Sequence, residues 1–582
     1  MSMGSAAQPA RDRRGWETMK GRIGWGRLAV AALLGMAFVH AAALPGSAAF
    51  SFSLTPLLVE VEGRPGTSHS FDISLGYESD GPPADFVVSV VPIRQDASGA
   101  YRPDPDGRAS APSAAEWIEV QPTQFTITPG RSQAIQGRLT FPRSFSGGAY
   151  AAVIIELVPE PPTDGEPGPR QEFRHQFAVI VEAVSRGAVV RPQVRIDGFR
   201  VATTEQRGFE QYRARYGPQA VVFLTDVVNE GNVHALVSGT LSLWDESGRK
   251  IREFPLGAGR GAVLPGAAVA VGSLLPGGLP PGRYTAQAVI NYGGLRPAIT
   301  RQSFVLGGDL LDSPQGGRAV RIDVQPEVAI FELVPGASRF AAIRVRNLDR
   351  VPVTLSGTIL PLVYDEAGNP NTEALPSPVS NDGWLTLRPE RITVAPGQVR
   401  NLQVAVRTPS DVQPGARYGQ VLLRALPETD GNEPMLETDV AVPVHTIVGK
   451  DLRIEGVLSP VELLPSPDGL QMTVGVRFTN TGQIHVLPAG EVVLERQQTP
   501  VAADGAEYVG EPVWIQMARL PMPATETPVL PGGTRLMGTM MAIPTEPGQY
   551  RASVLVRVTG GAPLSVQRTF RVADGVLQPD DP

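Results

Sequence analysis

Two histidines close the same short motif at two places in the chain. The motifs are Asn229-Glu-Gly-Asn-Val-His234 and Asn480-Thr-Gly-Gln-Ile-His485, which lie 251 residues apart. An imidazole can ligate a metal ion or carry a proton, but either role needs partner groups, and the sequence places none beside these histidines. We therefore predict a structural role, in which asparagine and glycine form a turn with positive φ and histidine bonds to the backbone.

Other candidates for chemistry are sparse. Asp104-Pro-Asp106-Gly107 has some acids of a calcium loop, but the spacing of a full site is missing, so a solvated turn is predicted. The chain has no Gly-x-Ser-x-Gly elbow, His-Glu-x-x-His pair, Walker loop or Rossmann glycine pattern. The sequence does not decide whether two carboxylates are paired as in a glycosidase, because their separation is set by the three-dimensional structure. We predict a protein that is not an enzyme, with no catalytic residue, cofactor or metal.

A long internal repeat organises the chain. The run from Trp384 to Tyr418 repeats the run from Trp117 to Tyr150, with offsets of 267 residues at the tryptophans and 268 at the tyrosines. Apolar residues alternate with polar ones on both sides of Pro396-Gly397, which predicts two half-buried strands joined by a turn with glycine at positive φ. Because large aromatic residues dominate sandwich cores, both tryptophans are predicted to plug a core between two sheets.

A second kind of repeat unit follows the first in each half. It begins at Val194-Arg-Ile-Asp-Gly198 and at Leu452-Arg-Ile-Glu-Gly456. The distance in sequence between matching residues of the two units grows from 251 to 266, which predicts extra residues in the loop Gln497–Pro512 of the second unit. The 582 residues are too many for one core, and no segment shows sustained helical spacing. We predict an all-β fold of four tandem immunoglobulin-like antiparallel β-sandwiches in an A-B-A-B internal duplication. The predicted segments are A1 (50–190), B1 (191–308), A2 (320–449) and B2 (450–574).

The connectors predict how these segments move. Within each half, the last strand of A runs into B across a few residues, which predicts a stiff A–B pair. Residues 309–319 contain two adjacent glycines and no apolar periodicity. They are predicted to be the linker of a hinged pair of rods, cut first near Arg318 in limited proteolysis. The tail 575–582 is predicted to be disordered.

Residues 1–49 are typical of a secretory signal. Six basic residues precede Leu28, an apolar run extends to Leu44, and small residues at 47–49 suit cleavage before Phe50. Met19 is an alternative start, and a retained membrane anchor is the alternative to cleavage. We predict export to the periplasm or the cell surface. No transmembrane anchor is predicted after cleavage, since no second apolar run of spanning length is present.

Net charge and cysteine content limit the classes of partner and of chemistry that this chain could use. The whole chain carries a net charge of −7 and residues 1–49 carry +4, which leaves −11 on the exported part. The chain shows no arginine cluster that would follow a phosphate backbone, so nucleic acid is not predicted as a partner. The chain has no cysteine, which excludes disulfides, thiolate chemistry and a lipidated cysteine.

The A segments resemble a known family. In A2 the carriers of the resemblance are Ile343-Arg-Val-Arg-Asn347, Trp384, Pro389 and Pro396-Gly397, which follow a leading strand with a proline and a Pro-Gly turn. This order is similar to the N-terminal domain of PapD-like periplasmic pilus chaperones and their immunoglobulin-like superfamily. The resemblance implies donation of an edge strand to a pilin-like subunit. The leading strands of this chain lack the early arginine that, in the family, helps to grip the subunit's carboxylate.

The A–B order, with Asn-x-Gly-x-Val/Ile-His and Pro-Gly-x-Tyr in B, also resembles the exported WxL-interacting proteins. Those proteins pair a peptidoglycan-binding domain with a host-binding domain. The function predicted first is a cell-envelope scaffold that binds other envelope or surface proteins along sandwich edges. A chaperone for pilus or surface-protein assembly, with pilin-like subunits as partners, and a surface protein that binds cell-wall peptidoglycan are the alternatives.

Overall fold

The computed structural model describes residues 51–78, 81–104, 106–158, 175–187, 190–257, 261–307, 315–428, 435–466, 471–498, 512–522, 526–573 and 576–578. Within these ranges the chain is all-β, as predicted. The helices there are α1 (Glu210–Tyr216) and two one-turn 3-10 helices, Ala115–Trp117 and Asp382–Trp384. The predicted signal at 1–49 lies outside the described residues.

Segment A1 folds into two sheets that enclose one core. Its strands are β1 (Phe52–Thr55), β2 (Leu58–Gly63), β3 (Ser68–Tyr77), β4 (Ala84–Gln95), β5 (Tyr101–Pro103), β6 (Ile118–Gln121), β7 (Gln124–Ile127), β8 (Ser132–Thr140), β9 (Gly147–Leu157) and β10 (Gln176–Ser185). One sheet has the order β1-β3-β8-β6, and the other has the order β2-β10-β9-β4-β5 with β7 beside β4. Because side chains alternate across a strand, every second residue, such as Ile73, Leu75 and Ile135, fills the core.

Segment B1 packs two groups of strands around a second core. Its strands are β11 (Val194–Thr203), β12 (Val221–Asn229), β13 (Ala235–Leu236), β14 (Ser238–Asp245), β15 (Lys250–Leu256), β16 (Ala262–Val263), β17 (Ala268–Leu275), β18 (Gly282–Asn291) and β19 (Ala298–Leu306). The groups are β15-β14-β18-β19 and β11-β12-β17. Phe199, Phe223 and Phe304 lie between them.

Segment A2 repeats the strand orders of A1. The next strands are β20 (Gln315–Ala319), β21 (Ile322–Gln325), β22 (Ala329–Leu333), β23 (Ser338–Asn347), β24 (Val353–Pro361), β25 (Leu385–Arg388), β26 (Arg391–Val394), β27 (Val399–Arg407), β28 (Gly415–Pro427) and β29 (Met435–Val448). The order β21-β23-β27-β25 matches β1-β3-β8-β6, and β22-β29-β28-β24 matches β2-β10-β9-β4. A third core lies between these sheets.

Segment B2 again has two sheets around its own core. Its strands are β30 (Gly456–Leu458), β31 (Glu462–Pro465), β32 (Gln471–Asn480), β33 (Pro488–Gln498), β34 (Val513–Pro521), β35 (Thr534–Ala542), β36 (Gly548–Val558), β37 (Leu564–Ala573) and β38 (Val576–Leu577). In one sheet β32 pairs with β30, β31 and β35, and the other sheet has the order β34-β33-β36-β37-β38.

The predicted Pro-Gly turns are confirmed. Gly397 has a φ of 70°, and its counterpart Gly130 also has a φ of 70°. The B segments use the same device at Gly266 (72°) and Gly532 (77°). Glycine adopts this left-handed backbone without the steric cost of a Cβ. The turns at Gly130 and Gly397 carry the chain from a strand of one sheet to a strand of the other, since β7 pairs with β4 and β8 with β3, and β26 pairs with β24 and β27 with β23.

B1 and A2 share one continuous sheet. At the start of β29, residues 437–439 pair antiparallel with 299–301 of β19, and residues 435–436 pair in parallel with 318–319 of β20. On its other side, β20 pairs with β11. The described part of the predicted linker, 315–319, is therefore a strand and not a loose connector. The sequence of this segment, with two adjacent glycines, does not predict a strand. It forms one because its backbone pairs with strands on both sides, and such pairing needs no apolar side-chain pattern.

Strand register corrects one predicted match between B1 and B2. Val194 pairs with Asn229 in B1, whereas Gly456 pairs with the matching Asn480 in B2. Residues 456–458 therefore occupy the place of 194–196, and Leu452-Arg-Ile-Glu-Gly456 is displaced by four positions from the predicted alignment. The two short sequences are similar but lie at different positions in their sheets, because the register of a strand is set by its pairing partner and not by a short local sequence.

Two loop predictions have different outcomes. Leu241 pairs with Phe254, and Val492 pairs with Leu520, so the offset grows from 251 to 266 between β33 and β34, where the extra residues were predicted. The tail is not wholly disordered, since 576–577 forms β38 against β37. Val and Leu at these positions favour strand pairing. Residues 579–582 lie outside the described part of the chain.

Candidate functional site

A buried polar contact joins A1 to B1, and we call it joint 1 (Tyr150, Glu182 and His234). Tyr150 and Glu182 are cross-strand partners on β9 and β10, and His234 follows the turn after β12. The Tyr150 hydroxyl accepts the backbone N–H of His234 at 2.7 Å and lies 3.2 Å from its Nδ1. The Nε2 of His234 lies 3.5 Å from a carboxylate oxygen of the buried Glu182. Protonation of His234 would therefore place its charge beside a carboxylate.

Joint 2 (Tyr418, His445 and His485) links A2 to B2 in the same way. The Tyr418 hydroxyl accepts the backbone N–H of His485 at 2.8 Å and lies 3.1 Å from its Nδ1. Tyr418 pairs across β28 and β29 with His445, which takes the place of Glu182 in joint 1. The His445 and His485 ring centroids are 4.8 Å apart. Neither ring nitrogen of the buried His445 has a hydrogen-bond partner among the described residues.

Burial makes joint 2 unfavourable for positive charge. It lowers the pKa of His445 to about 3, and the nearby His485 adds to this shift. Burial also lowers the pKa of His485 and raises the pKa of the Tyr418 hydroxyl. Both imidazoles are therefore neutral at pH 7, and a proton on either one would meet a second imidazole where joint 1 has a carboxylate.

The predicted asparagines close the turns that lead to the two histidines. The Nδ2 of Asn229 donates to the carbonyls of Val233 and Val263, both at 2.8 Å. Its Oδ1 accepts the N–H of Gly231 at 2.9 Å. Asn480 makes the matching three contacts in B2, with Ile484, Val529 and Gly482. Both asparagines are fully buried, so these contacts satisfy polar groups that water does not reach.

The predicted positive φ is wrong for these turns. Neither the asparagines nor the glycines have it, because the asparagine side chain closes the turn by hydrogen bonding. Glycine is needed for space: a Cβ on Gly231 would lie 2.5 Å from the backbone N of Gln193, and one on Gly482 would lie 2.6 Å from the carbonyl of Arg453. The histidine rings contact a tyrosine hydroxyl where a bond to the backbone was predicted.

The two predicted tryptophans lie at the rim of the A cores. Trp117 and Trp384 each end a one-turn 3-10 helix, and both are half-buried. Trp117 packs against Phe145 with ring centroids 4.7 Å apart. The large aromatic side chains that are fully buried at the joints are Tyr150 and Tyr418. Each tryptophan packs against the core of its A segment but is only half-buried, so it borders that core and does not fill its centre.

Side chains lock the seam between B1 and A2. Arg296, in the loop after β18, donates to three backbone carbonyls between 324 and 327, and burial lowers its pKa to about 10. Arg318 of β20 donates to the buried carboxylate of Asp349 at 2.6 Å. Leu436 of β29 lies inside the B1 core. The two halves interlock through the segment predicted to be their hinge, and a first proteolytic cut near Arg318 is not expected.

The predicted turn after Asp104 is present, but its carboxylate is not solvated. Asp104 is buried, and its Oδ2 accepts the N–H of Ala109 at 2.6 Å. Within the described ranges, no group of three or more histidine, aspartate and glutamate residues is placed to hold a metal ion. The feature that sequence reasoning missed is the partner set of the histidines. The repeat could have indicated these partners, because Glu182 and His445 occupy matched positions of the two A segments and differ in chemistry.

Comparisons with solved structures give matches of low identity and low TM-score that cover part of this chain. No family model and no curated protein matches the chain. The crystal structure of the class 5 fimbriae chaperone CfaA is 10% identical over 43% of this chain and 99% of its own, with a TM-score of 0.24. The E. coli chaperone DraB is 11% identical over 44% of this chain and 98% of its own, with a TM-score of 0.22. The ASH / PapD-like domain of human CEP192 is 14% identical over 26% of this chain and 99% of its own, with a TM-score of 0.18.

The chain is thus similar to PapD-like pilus chaperones and to a PapD-like domain, which is the resemblance predicted from its sequence. The resemblance to WxL-interacting proteins stays a prediction. Across the described ranges, no helix is long and apolar enough to cross a bilayer.

Proposed function

We propose that this chain is an exported, non-enzymatic scaffold of the cell envelope that holds other envelope or surface proteins along exposed strand edges. The observation that carries the proposal is the interlocking of its segments. Buried contacts at joints 1 and 2 and a sheet shared by B1 and A2 make a stiff framework. Such a framework presents several strand edges in fixed relative positions, which suits binding more than chemistry.

The proposal includes an A-B-A-B array of four immunoglobulin-like sandwiches. Four large hydrophobic clusters support it, and the cluster centred on B1 also includes residues of A1 and A2 that contact B1. The matched strand orders of A1 and A2 and the matched tyrosine–histidine contacts of the two joints also support it. The predicted boundaries at 190, 308, 319 and 449 belong to this proposal.

One edge of B2 is well suited to bind a partner strand. β34 is the outer strand of its sheet, and Val513, Ile515 and Met517 on it are exposed. The matching edge strand of B1, β15, instead carries the exposed charged residues Lys250, Arg252 and Glu253. Charged edges resist pairing, whereas an apolar edge favours the addition of a strand. We assign β34 as the edge that binds envelope proteins.

The test is capture of envelope proteins and wall material by the purified exported chain. The double variant Ile515→Lys/Met517→Lys should lose most of the captured protein, because lysine on an edge strand opposes pairing. Phe340→Lys is the matched control, since it puts the same charge on an exposed apolar residue of the central strand β23. Retention of nothing by the unmodified chain would refute the proposal.

A chaperone for pilin-like subunits is the second candidate, and the chaperone-like motifs of the A segments favour it. The same assay with isolated subunits separates the two, because a chaperone releases its subunit on assembly and a scaffold does not. Retention of purified peptidoglycan would favour the wall-binding alternative. Export is tested by sequencing the secreted protein, which should begin at Phe50.

A further inference from the structure

B1 and B2 share one framework, which allows their edges to be compared. Tyr284 pairs with Phe304 in B1, and Tyr550 pairs with Phe570 in B2, at a constant offset of 266. The ring centroids are 5.8 Å and 5.7 Å apart in the two pairs. Residues 565–567 of β37 therefore correspond to 299–301 of β19.

The two matched edges differ in occupancy. In B1, β29 of A2 pairs with 299–301 and buries Ile299 and Thr300. In B2, the corresponding residues 565–567 have no strand partner on their outer side among the described residues, and Ser565 and Gln567 are exposed. β38 and the following Gln578 pair with β37 only at its far end, 571–573. B2 thus has an open edge at the place where B1 receives a strand from the segment that follows it.

The other half of this contact is also open, in A1. Tyr150 pairs with Glu182 and Tyr418 pairs with His445, so β10 corresponds to β29 at an offset of 263. Asp439 and Ala441 of β29, which lie at the seam with B1, are buried. Their counterparts in A1, Gln176 and Ala178, are exposed. Within the described part of the chain, the outer side of β10 pairs only with β2, at residues 180–185.

We propose that B2 of one copy binds A1 of a second copy, so that residues 565–566 of β37 pair with residues 175–176 at the start of β10, as 299–300 of β19 pair with 438–439 of β29 inside each chain. Each open edge is one half of an interface that the chain already makes once. The contact joins two different surfaces, so it leads to head-to-tail assembly and not to a closed symmetric dimer. The inference goes beyond the proposed function, since a chain that binds no other protein can still assemble with itself.

Only the strand pairing is repeated between copies, and this sets the expected strength. In B1 the seam also contains Ile299 packed with Leu422 and Ala441. At the matching places the contact between copies has Ser565 and Ala178, while Ile154 is already buried within its own chain, so the contact buries less apolar surface. Assembly should therefore be reversible and should increase with protein concentration.

Disulfide trapping tests the register, because the natural chain has no cysteine. Ile299 pairs with Asp439 and Thr300 pairs with Thr438, which makes His175 the expected partner of Val566. Cross-strand Cα atoms lie about 4.5–5.5 Å apart, within disulfide range. The full-length exported variant His175→Cys/Val566→Cys should form, on mild oxidation, a ladder at two, three and more times the chain mass. Each single variant should stop at a dimer.

Two controls make the result decisive. Thr300→Cys/Thr438→Cys should close within one chain without a ladder, which checks that this geometry supports a disulfide. Ser247→Cys/Val566→Cys has one cysteine on an exposed turn of B1 and should give no ladder. In sedimentation velocity, the mean mass of the unmodified chain should rise with concentration. A closed Thr300–Thr438 pair together with monomeric His175→Cys/Val566→Cys, or equal ladders from both intermolecular pairs, would overturn the proposal.

Discussion

At the scale of single residues, Asn480 shows how one buried side chain closes a turn. Its Nδ2 donates to the carbonyls of Ile484 and Val529 at 2.9 and 2.8 Å, and its Oδ1 accepts the N–H of Gly482 at 2.9 Å. Asn480→Ala should lower the free energy of unfolding by about 2–3 kcal/mol, because it leaves these buried groups without partners. Urea denaturation measures the loss. Asn401→Ala, at an exposed position, should change stability little, and equal losses would contradict this account.

Gly482 tests whether space, and not backbone conformation, selects glycine in the same turn. A Cβ there would lie 2.6 Å from the carbonyl O of Arg453 and 2.9 Å from the N of Glu455. Backbone atoms cannot move aside cheaply, so Gly482→Ala should cost about 1–3 kcal/mol. Gly383→Ala is the control, since its Cβ would meet nothing within 4 Å and its φ is not positive. Thermal unfolding of both variants decides whether the cost is specific to the crowded site.

At the scale of elements, joint 2 should respond to acid. The pKa of His445 is about 6.5 in an unfolded chain and is lowered by burial to about 3 in the fold, so the unfolded state takes up the proton first. The stability that depends on neutral His445 is complete above pH 6.5 and is lost as pH falls toward 3. The slope is at most about 1.4 kcal/mol per pH unit. His485, whose pKa burial also lowers, acts in the same direction.

His445→Gln checks this response, because glutamine stays neutral at every pH. The variant should show a flatter fall in stability between pH 6.5 and 4 than the natural chain. Equal slopes for the natural chain and His445→Gln would place the acid sensitivity elsewhere.

At the scale of the whole molecule, B1 and A2 should unfold together. Leu436 belongs to β29 but lies buried in the B1 core. Leu436→Ala should cost about 2–5 kcal/mol. It should also weaken hydrogen-exchange protection in β19 of B1 and in β22 of A2. Leu348→Ala, at an exposed position, should change neither strand. Loss of protection in A2 alone would show that the shared sheet does not couple the halves.

Local pattern by itself determined the all-β class, the Pro-Gly turns and the place of the extra residues in B2. These features depend on neighbours in sequence: alternation sets the buried face of a strand, and Pro396-Gly397 needs only its own backbone angles to reverse the chain. The matched motifs at Asn229 and Asn480 likewise marked the two turns, although the sequence suggested a different reason for their glycines.

Tertiary structure alone decided which elements meet. Tyr418 and His485 are 67 residues apart, and only the packing of A2 on B2 brings them to 3.1 Å. Residues 315–319 carry no strand pattern of their own and become a strand because β11 and β29 offer backbone partners on both sides. The physical reason is that sequence patterns report burial of side chains along one element, whereas strand partners and buried joints are set by backbone hydrogen bonds between elements distant in sequence.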